Sequence, residues 1–582
     1  MGSPVHVETV ARSFVLLLLF EVEFLLVGAT FLSYCEPRRF AGLKLFDQAF
    51  VGFCLVTAFS QVWSIFTGLH PLSNLCLIGI TFVFAIPRWR QVTNNLCESA
   101  QGVPVRAVLV LIPIGIAVAV NVLTRDACYD SALYHQLSVR WLSEFGSVPG
   151  LANLHGRLGF NSSLNALAGI FSVPFGEPIG REFANAATTF LVVCVLSQGL
   201  RFKDSDVSGF CRSLYAFGLL TFVLMLAFSP CLSSPQPDVS SAAVAVAASW
   251  YFFEFLVSYR KDDALAGNHL FLIIAASVAA FELKLSYIGL VGAMVVVALR
   301  LALQRGTFSS HIRFCLLFAA VMLVPWISCG YITSGCPFFP SEIGRLGFDW
   351  AVPHELARLE KDAAFAWARA PGLPVVEVLG SWEWITPWAG RLLSNPLVVK
   401  PGLVAIVGSI LLLARLLTPS RPRIERWWVI LLIPSSVGLG FWFLTAPDPR
   451  FAQATLWIFA LNILLFPFLA EGGSNRSTRL VAVVLLTLVA AFDAGMGAVR
   501  LRHERKRLRL PNRVGGQIDL LARRTDSGLT VWIPKSVYEP GSAQLISTPP
   551  DRFNSRLELR GPSLRDGFRI RPPKQLARKN TS

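Results

Sequence analysis

Residues 126–161 read DACYDSALYHQLSVRWLSEFGSVPGLANLHGRLGFN, a polar stretch that lies between apolar segments of membrane-spanning length. Irregular backbone exposed to lipid would leave peptide groups without hydrogen-bond partners, so this stretch must lie at an aqueous face or line a cavity. A long hydrophilic loop in a chain that is otherwise compatible with hydrocarbon needs a functional reason. We therefore predict a polytopic membrane protein whose chemistry is carried by this loop.

Composition supports a membrane protein and argues against nucleic acid as a partner. The 582 residues are 54% hydrophobic and only 15% charged, whereas soluble domains contain about 25% charged residues. The formal net charge is +16, but Arg and Lys lie in short loops between apolar segments and in the C-terminal tail. That distribution is typical of membrane orientation. We therefore expect the lipid bilayer, and no nucleic acid, as a partner.

The apolar segments predict an all-α fold with about 14 transmembrane helices, because a helix needs roughly 20 residues to cross the hydrocarbon core. The candidate segments lie near 14–33, 47–68, 72–87, 106–123, 184–200, 213–230, 240–257, 268–283, 286–303, 311–331, 402–417, 427–445, 451–471 and 479–498. Several of them are slightly short for a span.

The basic loops predict the orientation of these helices. Basic residues between successive segments, such as Arg88, Arg90 and Arg300, all fall on one side if the N-terminus is outside. Positive charge marks the cytoplasmic side. The outer face then receives the long loops 124–183 and 332–401. We expect a multi-pass protein of the inner (plasma) membrane.

Two segments do not fit the pattern of spans. Leu164–Phe175 is too short to cross the bilayer and is predicted to lie along the interface as an amphipathic element. The parity of the helices places the tail, 499–582, outside, while the basic residues that begin it favour the inside. We expect it outside, as a small soluble module. Apolar and polar residues alternate between its Pro and Gly, which predicts a few short strands.

The cysteines do not indicate a metal site. Eleven Cys are scattered along the chain without the spacing of a zinc site. Cys128, Cys231 and Cys336 fall in predicted outer loops, where one pair could form a disulfide. The sequence does not say which pair.

The first outer loop contains a candidate catalytic group. Asp130, Tyr134 and His135 form a D-x-x-x-Y-H pattern. On a helix Asp130 and Tyr134 lie one turn apart, with His135 at the edge of the same face. A partly desolvated carboxylate at the interface is suited to act as a general base or a metal ligand. The alternative is a surface Asp that caps a short helix.

The same loop also offers a candidate anion-binding pair. His155 and Arg157, in LANLHGRLGFN, add an imidazole and a fixed cation that suits phosphate. The alternative is an ordinary solvated loop. The presence of His135, His155 and Arg157 in a single loop of a chain with only 8 His favours a functional role.

Three charged residues stand at the ends of later spans. Asp238, in SSPQPDVSSAAVA, begins a span, where an acidic residue also complements the helix dipole. Lys284, in FELKLSYIGL, interrupts apolar sequence, and intramembrane ionisable residues are functional candidates. The alternative is that Lys284 and Glu282 mark the turn between two successive spans. Arg450, in TAPDPRFAQA, begins a span on the outer face against the charge trend, so it suits an anionic ligand, with Asp448 as an alternative partner.

These residues together indicate a reaction on a phosphate-linked lipid. Arg157, Lys284 and Arg450 would hold phosphate, and the carboxylate of Asp130 would deprotonate an acceptor hydroxyl.

Five segments, in order, resemble the membrane-embedded C-type (GT-C) glycosyltransferases, which use polyprenyl-phosphate-linked sugars. YDSALYHQLSVRWLSEFGSV is similar to the first-loop D-x-x-x-Y-H-x-x-x-x-x-W motif of bacterial members, and SPQPD to the Pro/Asp-led span. ELKLSYIGL resembles the lysine-bearing helix, YITSGCPFFP the loop that ends in glycine-x-proline-x-x-proline, and APDPRFAQA the arginine-led late span. The resemblance covers residues 106–470 discontinuously.

The resemblance implies a hexosyl- or pentosyltransferase that moves a sugar from a polyprenyl-phosphate donor to a cell-envelope glycan or lipid acceptor, in polysaccharide assembly. Asp130 takes the place of the family's catalytic acidic residue, with His135 as the second candidate. The predicted substrate-binding residues are Tyr134, His155, Arg157, Asp238, Lys284 and Arg450. Displacement by an acceptor hydroxyl implies inversion at the anomeric carbon. Relatives often have a second acidic residue where Ser131 stands, so it stays open whether Mg²⁺ or Mn²⁺ acts at Asp130.

The expected organisation has three parts: added N-terminal transmembrane helices (1–105), a GT-C-like core (106–498) and the basic tail module (499–582). Two other functions stay open. An O-antigen polymerase or ligase-like enzyme would use a diphosphate-linked oligosaccharide. A flippase or transporter of a lipid-linked sugar is expected to have two related halves with broken helices at mid-membrane, and the sequence has no internal repeat.

Overall fold

The computed structural model describes residues 5–35, 40, 42–103, 105–124, 126, 128–171, 180–200, 207–306, 309–417, 426–469, 476–504, 519–535 and 544–572. Parts of the predicted tail module (505–518, 536–543 and 573–582) lie outside these described residues. Within them the fold is almost entirely helical, which confirms the all-α class.

The helices are α1 (Val5–Ser33), α2 (Leu45–Phe66), α3 (Pro71–Ala85), α4 (Trp89–Gln101), α5 (Val105–Val122), α6 (Gln136–Phe145), α7 (Ser163–Ile170), α8 (Gly180–Ser197), α9 (Val207–Ala227), α10 (Asp238–Arg260), α11 (Ala266–Leu283), α12 (Ile288–Arg305), α13 (Ser309–Ser334), α14 (His354–Arg369), α15 (Val375–Gly380), α16 (Ile385–Ser394), α17 (Pro396–Leu416), α18 (Arg426–Val429), α19 (Leu432–Leu444), α20 (Pro449–Leu469) and α21 (Arg476–Glu504). The strands are β1 (Leu520–Arg524), β2 (Thr530–Pro534), β3 (Leu557–Leu559) and β4 (Phe568–Ile570).

Many of these helices are suited to a bilayer. Among the described residues, 11 helices are long and apolar enough to cross a membrane. Three shorter apolar helices, α5, α8 and α19, coincide with further predicted spans. The apolar helices therefore indicate a multi-pass membrane protein.

α10 lies at the centre of the helical bundle. Its apolar stretch is buried inside the protein along its whole length, and it packs against α8, α11 and α20. A helix that is apolar on all sides is typical of a bundle core. In α17 and α21, in contrast, most residues of the apolar stretch are half-buried or exposed. The exposed helices form the perimeter that suits contact with lipid.

The predicted N-terminal addition packs as part of the same bundle. Phe24 of α1 and Phe53 of α2 belong to one hydrophobic cluster with the core helices, and their rings lie 5.6 Å apart. α2 also packs against α7 and α13. The first helices therefore support the core from one side.

The two ends of the bundle differ in charge. At the C-terminal end of α10, Arg212 Nε lies 2.6 Å from Glu254 Oε1, and Arg305 Nη1 lies 2.6 Å from Asp262 Oδ1. Arg260, Lys261 and Arg300 lie at the same ends of α10 and α12, so basic residues outnumber acidic ones at this end of the bundle. The first long loop meets the bundle at the opposite end, beside the start of α10.

The interfacial element expected at Leu164–Phe175 is wrong in its described part. Every residue of α7 is buried, and the helix packs against α2, α6 and α8. Ser162 Oγ, just before it, donates to the Leu283 carbonyl at 2.9 Å. Apart from Asn165, the side chains of α7 are small or apolar on all faces, so the helix fits the core instead of the interface. Residues 172–175 lie outside the described part of the chain.

The described part of the tail packs against the first long loop. β1 pairs antiparallel with β2 and β3 pairs antiparallel with β4, which confirms the predicted short strands. Val531 and Phe568 share an apolar cluster with Trp141 and Leu151 of the loop. The Phe568 N–H donates to the Pro149 carbonyl at 2.9 Å. The tail therefore lies on the same face as the loop, as the parity of the helices predicts.

One disulfide ties the first loop to the segment before α10. Cys128 and Cys231 are bonded, with Cα atoms 5.6 Å apart. Cys336, the third candidate, is a buried free cysteine. The structure thus selects one of the three pairings that the sequence left open.

Candidate functional site

Asp130 stands where the helical geometry changes. Ser131–His135 form a π-helical turn, and α6 follows directly. Such turns are rare and frequently occur at functional sites. The hydroxyl of Ser131 contacts that of Ser234, and the nearby disulfide links the same two segments. The turn that presents Asp130 is therefore fixed against the start of α10.

The carboxylate of Asp130 is held between two arginines. Asp130 Oδ2 lies 3.1 Å from Arg450 Nη1, and Asp130 Oδ1 lies 3.4 Å from Arg157 Nη1. The side chain of Asp130 is 13% exposed, so both pairs are partly shielded from water. Charge-assisted hydrogen bonds of this kind are stronger than neutral ones. Residues separated by 27 and 320 positions in the chain thus meet at one carboxylate.

Arg157 is positioned by the first loop itself. Gly156–Gly159 form a 3₁₀ turn, in which His155 Nδ1 accepts a hydrogen bond from the Arg157 backbone N–H at 3.1 Å. The Arg157 guanidinium carbon lies 5.4 Å from the centre of the Tyr134 ring. A guanidinium at this distance is attracted to the ring face. Tyr134 and His155 therefore both support Arg157.

Arg450 is positioned by the first turn of α20. Its backbone N–H donates to Asp448 Oδ1 at 2.9 Å, and its Nε lies 3.7 Å from the same oxygen. Asp448 is thus a partner of Arg450, but it shares the arginine with Asp130. The side chain of Arg450 keeps 37% exposure, so an anion in solution or at a lipid surface can reach it.

Lys284 forms an ion pair with Asp238 at the break between α11 and α12. The backbone of Lys284 is extended, with φ −158° and ψ 120°, so the residue ends one helix before the next begins. Asp238 also accepts a hydrogen bond from the Gln236 side chain. Glu282 faces away, because it accepts from Gln61 Nε2 of α2 at 3.3 Å.

Phe451 connects the lysine to the arginine. Lys284 Nζ lies 4.2 Å and the Arg450 guanidinium carbon 5.2 Å from the centre of the Phe451 ring. Both distances are within the range of cation–π attraction. Gln453, one turn along α20, donates to the Asp238 carbonyl at 3.1 Å. We call the following residues the charged cluster: Asp130, Arg157, Asp238, Lys284 and Arg450.

Burial and neighbouring charge set the protonation of the loop residues. Burial raises the pKa of Asp130, but the positive charges of Arg450 and Arg157 more than offset this, and the pKa lies below its usual value. Burial is also the main cause that lowers the pKa of His135 and of His155 to about 3. At neutral pH the carboxylate is therefore ionised and both imidazoles are neutral.

The charged cluster does not suit a divalent metal ion. Both carboxylate oxygens of Asp130 face guanidinium groups. Mg²⁺ needs several oxygen ligands in near-octahedral geometry. Across the described ranges, no group of three or more His, Cys, Asp or Glu side chains is arranged to hold a metal. The surroundings of Asp130 fit an anion between the arginines better than a cation.

Most of the predicted site residues meet in the structure. Asp130, Tyr134, Arg157 and Arg450 are in direct contact, and the Lys284–Asp238 pair joins them through Phe451. His135 is buried beside Tyr134, with ring centres 4.0 Å apart. His155 is 3% exposed, so it supports Arg157 from behind and has no open side for a ligand.

Some residues near the site were not predicted. Phe451 follows Arg450 directly in the sequence. An aromatic residue next to an arginine that begins a span could have indicated a cation–π contact at the site. Gln236 lies inside the SPQPD segment. Arg552 of the tail contacts Glu360 Oε1 at 3.2 Å, but no sequence pattern predicts this pair because it depends on how the tail docks.

A family model covers this whole arrangement. The model, described as a domain of unknown function (DUF8201), matches residues 13–457 of the chain. That stretch includes the entire charged cluster and excludes the tail module. No curated protein and no solved structure matches the chain.

Proposed function

The chain belongs to the DUF8201 family, whose description names no function, and we propose that it is a membrane glycosyltransferase. It moves a sugar from a polyprenyl-phosphate donor to a cell-envelope glycan or lipid acceptor at the face that carries the charged cluster. The observation that carries this proposal is the convergence of Arg157 and Arg450 on the carboxylate of Asp130.

The cations of the cluster suit a phosphate leaving group. A guanidinium binds phosphate through parallel N–H donors. The side chains of Arg157 and Arg450 are 32% and 37% exposed, so a ligand can reach both. Lys284 adds a third positive charge beside Phe451. As the sugar–phosphate bond breaks, negative charge grows on the phosphate, and fixed cations stabilise that charge.

Without a donor, the protein's own carboxylates occupy these cations. Asp130 bridges the two arginines, and Asp238 pairs with Lys284. A donor phosphate that binds both guanidinium groups would release the carboxylate of Asp130. The released carboxylate then stands beside the phosphate-linked sugar.

Donor binding would also make Asp130 a stronger base. Burial raises the pKa of Asp130, and the charges of Arg450 and Arg157 lower it. When phosphate neutralises the arginines, the effect of burial remains and the pKa rises. A carboxylate with a pKa closer to the working pH accepts a proton more effectively. Asp130 therefore becomes an effective base only in the donor complex.

The reaction is a single displacement. The acceptor hydroxyl oxygen bonds to the anomeric carbon, Asp130 takes the hydroxyl proton, and the polyprenyl phosphate leaves with the electron pair of the broken bond. One displacement inverts the configuration at the anomeric carbon. His135 is the second candidate base, but a buried neutral ring with a pKa of about 3 is a weaker base at neutral pH.

The disulfide supports an extracytoplasmic position for this site. Disulfides persist in oxidising environments and are rare in the cytosol. Cys128 lies two residues before Asp130, so the disulfide and the charged cluster lie at the same end of the bundle. The basic end of the bundle would then face the cytoplasm.

The proposal is tested with purified protein and a panel of lipid-linked sugars. Each sugar is supplied on a polyprenyl monophosphate and on the matching diphosphate, with and without a chelator. We expect transfer from a monophosphate donor, with the chelator leaving the rate unchanged. Transfer only from diphosphate donors would favour the polymerase or ligase function. Movement of the donor across vesicles without transfer would favour the flippase.

A further inference from the structure

A membrane-facing groove between α1 and α3–α4 lies apart from the charged cluster. Its volume is about 290 Å³, and its walls are almost entirely apolar. Leu16 and Phe20 line it from α1, and Ile78 lines it from α3. Val22 and Phe82, on its two sides, are 49% and 48% exposed. The groove therefore opens on the outer side of two candidate membrane spans, where lipid would lie, and its volume can hold part of a hydrocarbon chain.

Two polar side chains lie within these apolar walls. Glu23 is 9% exposed, and Asn74 Nδ2 donates to Glu23 Oε2 at 3.4 Å. Glu23 Oε1 and Asn74 Oδ1 are buried and have no hydrogen-bond partner among the residues that the structure describes. A buried acceptor without a donor is costly. Asn74 Oδ1 therefore calls for a hydrogen-bond donor and Glu23 Oε1 for a hydrogen-bond partner, and a hydroxyl that enters through the groove can supply either.

The depth of Glu23 restricts the kind of ligand. The residue lies within the apolar span Val7–Ser33, where ionisable side chains are expensive and are functional candidates by default. A charged lipid headgroup would have to leave water to reach this depth. A neutral hydroxyl reaches it at lower cost and supplies the donor that Glu23 and Asn74 lack.

We propose that this groove binds one chain of a neutral, hydroxyl-bearing lipid, whose hydroxyl donates a hydrogen bond to the free oxygen of Glu23 or Asn74. The site does not rest on the proposed function, because none of its residues belongs to the charged cluster.

Photolabelling tests the ligand class. The probe is a long-chain alcohol with a diazirine in its chain, added to the full-length protein in phosphatidylcholine vesicles, and the labelled peptides are identified by mass spectrometry. We expect labels on α1 and α3 beside the groove. Excess unlabelled alcohol should suppress them, and an alkane of the same length should not. The methyl ether of the probe should give a labelling yield at least about threefold lower than that of the alcohol, because an ether cannot donate a hydrogen bond.

Matched variants test the location. Thr81→Phe places a ring inside the groove, whereas Val83→Phe adds the same ring two residues away at a 67% exposed position that does not line it. We expect Thr81→Phe to lose most labelling and Val83→Phe to keep it. Glu23→Leu should lose the preference for the alcohol over the ether, and Glu23→Gln, which keeps an acceptor oxygen, should retain that preference.

Three results would overturn the site. They are equal labelling by alcohol and ether in the wild type, equal labelling of the two Phe variants, and labels spread evenly over α17 and α21. The first needs no variant, so the proposal stays testable even if a substitution prevents folding. Failure of this experiment would leave sugar transfer unaffected, because that is measured at the other site.

Discussion

Asp130 contacts Arg450 through one carboxylate oxygen and Arg157 through the other, at 3.1 and 3.4 Å. Burial alone would make this carboxyl harder to ionise, and the two guanidinium groups reverse that effect. If the proposed function is right, the same two contacts prepare a phosphate site, because a donor phosphate would replace one anion by another. At the scale of single residues, we therefore expect substitutions of the arginines to change donor binding and substitution of Asp130 to change proton transfer.

Removal of one arginine should weaken donor binding. We expect Arg450→Gln to raise the KM for the donor by about 30-fold or more, since truncation of one partner in a shielded charge pair typically costs at least about 2 kcal/mol. Steady-state kinetics with varied donor measures this. Arg140→Gln is the matched control, because Arg140 pairs with Glu144 one turn along α6 at 2.8 Å, and both side chains are partly exposed. Such a pair contributes little. Equal KM values for the two variants would contradict the assignment of Arg450.

The pH dependence should differ between free enzyme and donor complex. The arginine charges keep the pKa of Asp130 below its usual value in the free protein. In the proposed donor complex, phosphate would weaken the effect of the arginine charges, and the pKa of Asp130 would rise. Protonation of Asp130 removes the base, so the acid limb of kcat should lie at higher pH than the acid limb of kcat/KM. Rate profiles over pH check this. Coincident limbs, or a kcat limb at lower pH, would contradict it.

At the scale of elements, the site depends on short irregular pieces between long helices. The π-helical turn at Ser131–His135 presents Asp130, the 3₁₀ turn at Gly156–Gly159 presents Arg157, and the break at Lys284 separates α11 from α12. The tail module packs behind the first two. Phe568 is fully buried against the loop, and Arg552 holds Glu360 close to the second turn.

Release of the tail module should therefore loosen the site. We expect Phe568→Ala to expose the tail to trypsin and to raise the KM for the donor, because truncation of a buried Phe typically costs about 3–5 kcal/mol. Limited proteolysis and kinetics measure the two effects. Leu521→Ala is the control in the same module, since Leu521 is 47% exposed. Protease resistance equal to that of the wild type would show that the docking contributes little.

At the scale of the whole molecule, the sequence predicts some features well and others poorly, for physical reasons. Hydropathy locates the helices because burial in lipid or protein demands apolar residues everywhere along them. Hydropathy misplaced α7 because a short apolar segment that is buried in protein has the same hydropathy as one that lies at the membrane interface. The meeting of Asp130 with Arg450 follows from packing of segments 320 residues apart. The order of the five motifs led us to expect both residues in one site, but the spacing of residues along the chain could not predict their contact. The surroundings of His155 include Arg552 of the tail, and the sequence does not show where the tail docks.

The orientation of the molecule is also open to a direct test. Cys97 is exposed near the basic end, where its neighbour Ser99 contacts Gln48. α15 lies on the opposite face, because its Val378 shares an apolar cluster with Phe443 near the start of α20, and Glu377 in α15 is exposed. We expect a membrane-impermeant maleimide to label Glu377→Cys on intact cells, and Cys97 only after permeabilisation, because positive charge stays inside. Peptide mapping distinguishes the two. The reverse pattern would place the charged cluster in the cytoplasm.

In the proposed reaction, Asp130 assists sugar transfer from a polyprenyl-phosphate donor. The most direct measurement is the transfer rate of Asp130→Asn beside that of the wild type and of Asp126→Asn. Asp126 lies in the same loop and accepts from the Cys128 backbone N–H at 2.9 Å, a bond that Asn preserves.

We expect Asp130→Asn to lose about 10²–10⁴-fold in kcat, as removal of a general base does, and Asp126→Asn to stay near the wild-type rate. A fully active Asp130→Asn protein, which still binds the donor and transfers the sugar, would contradict the role of Asp130 as the general base.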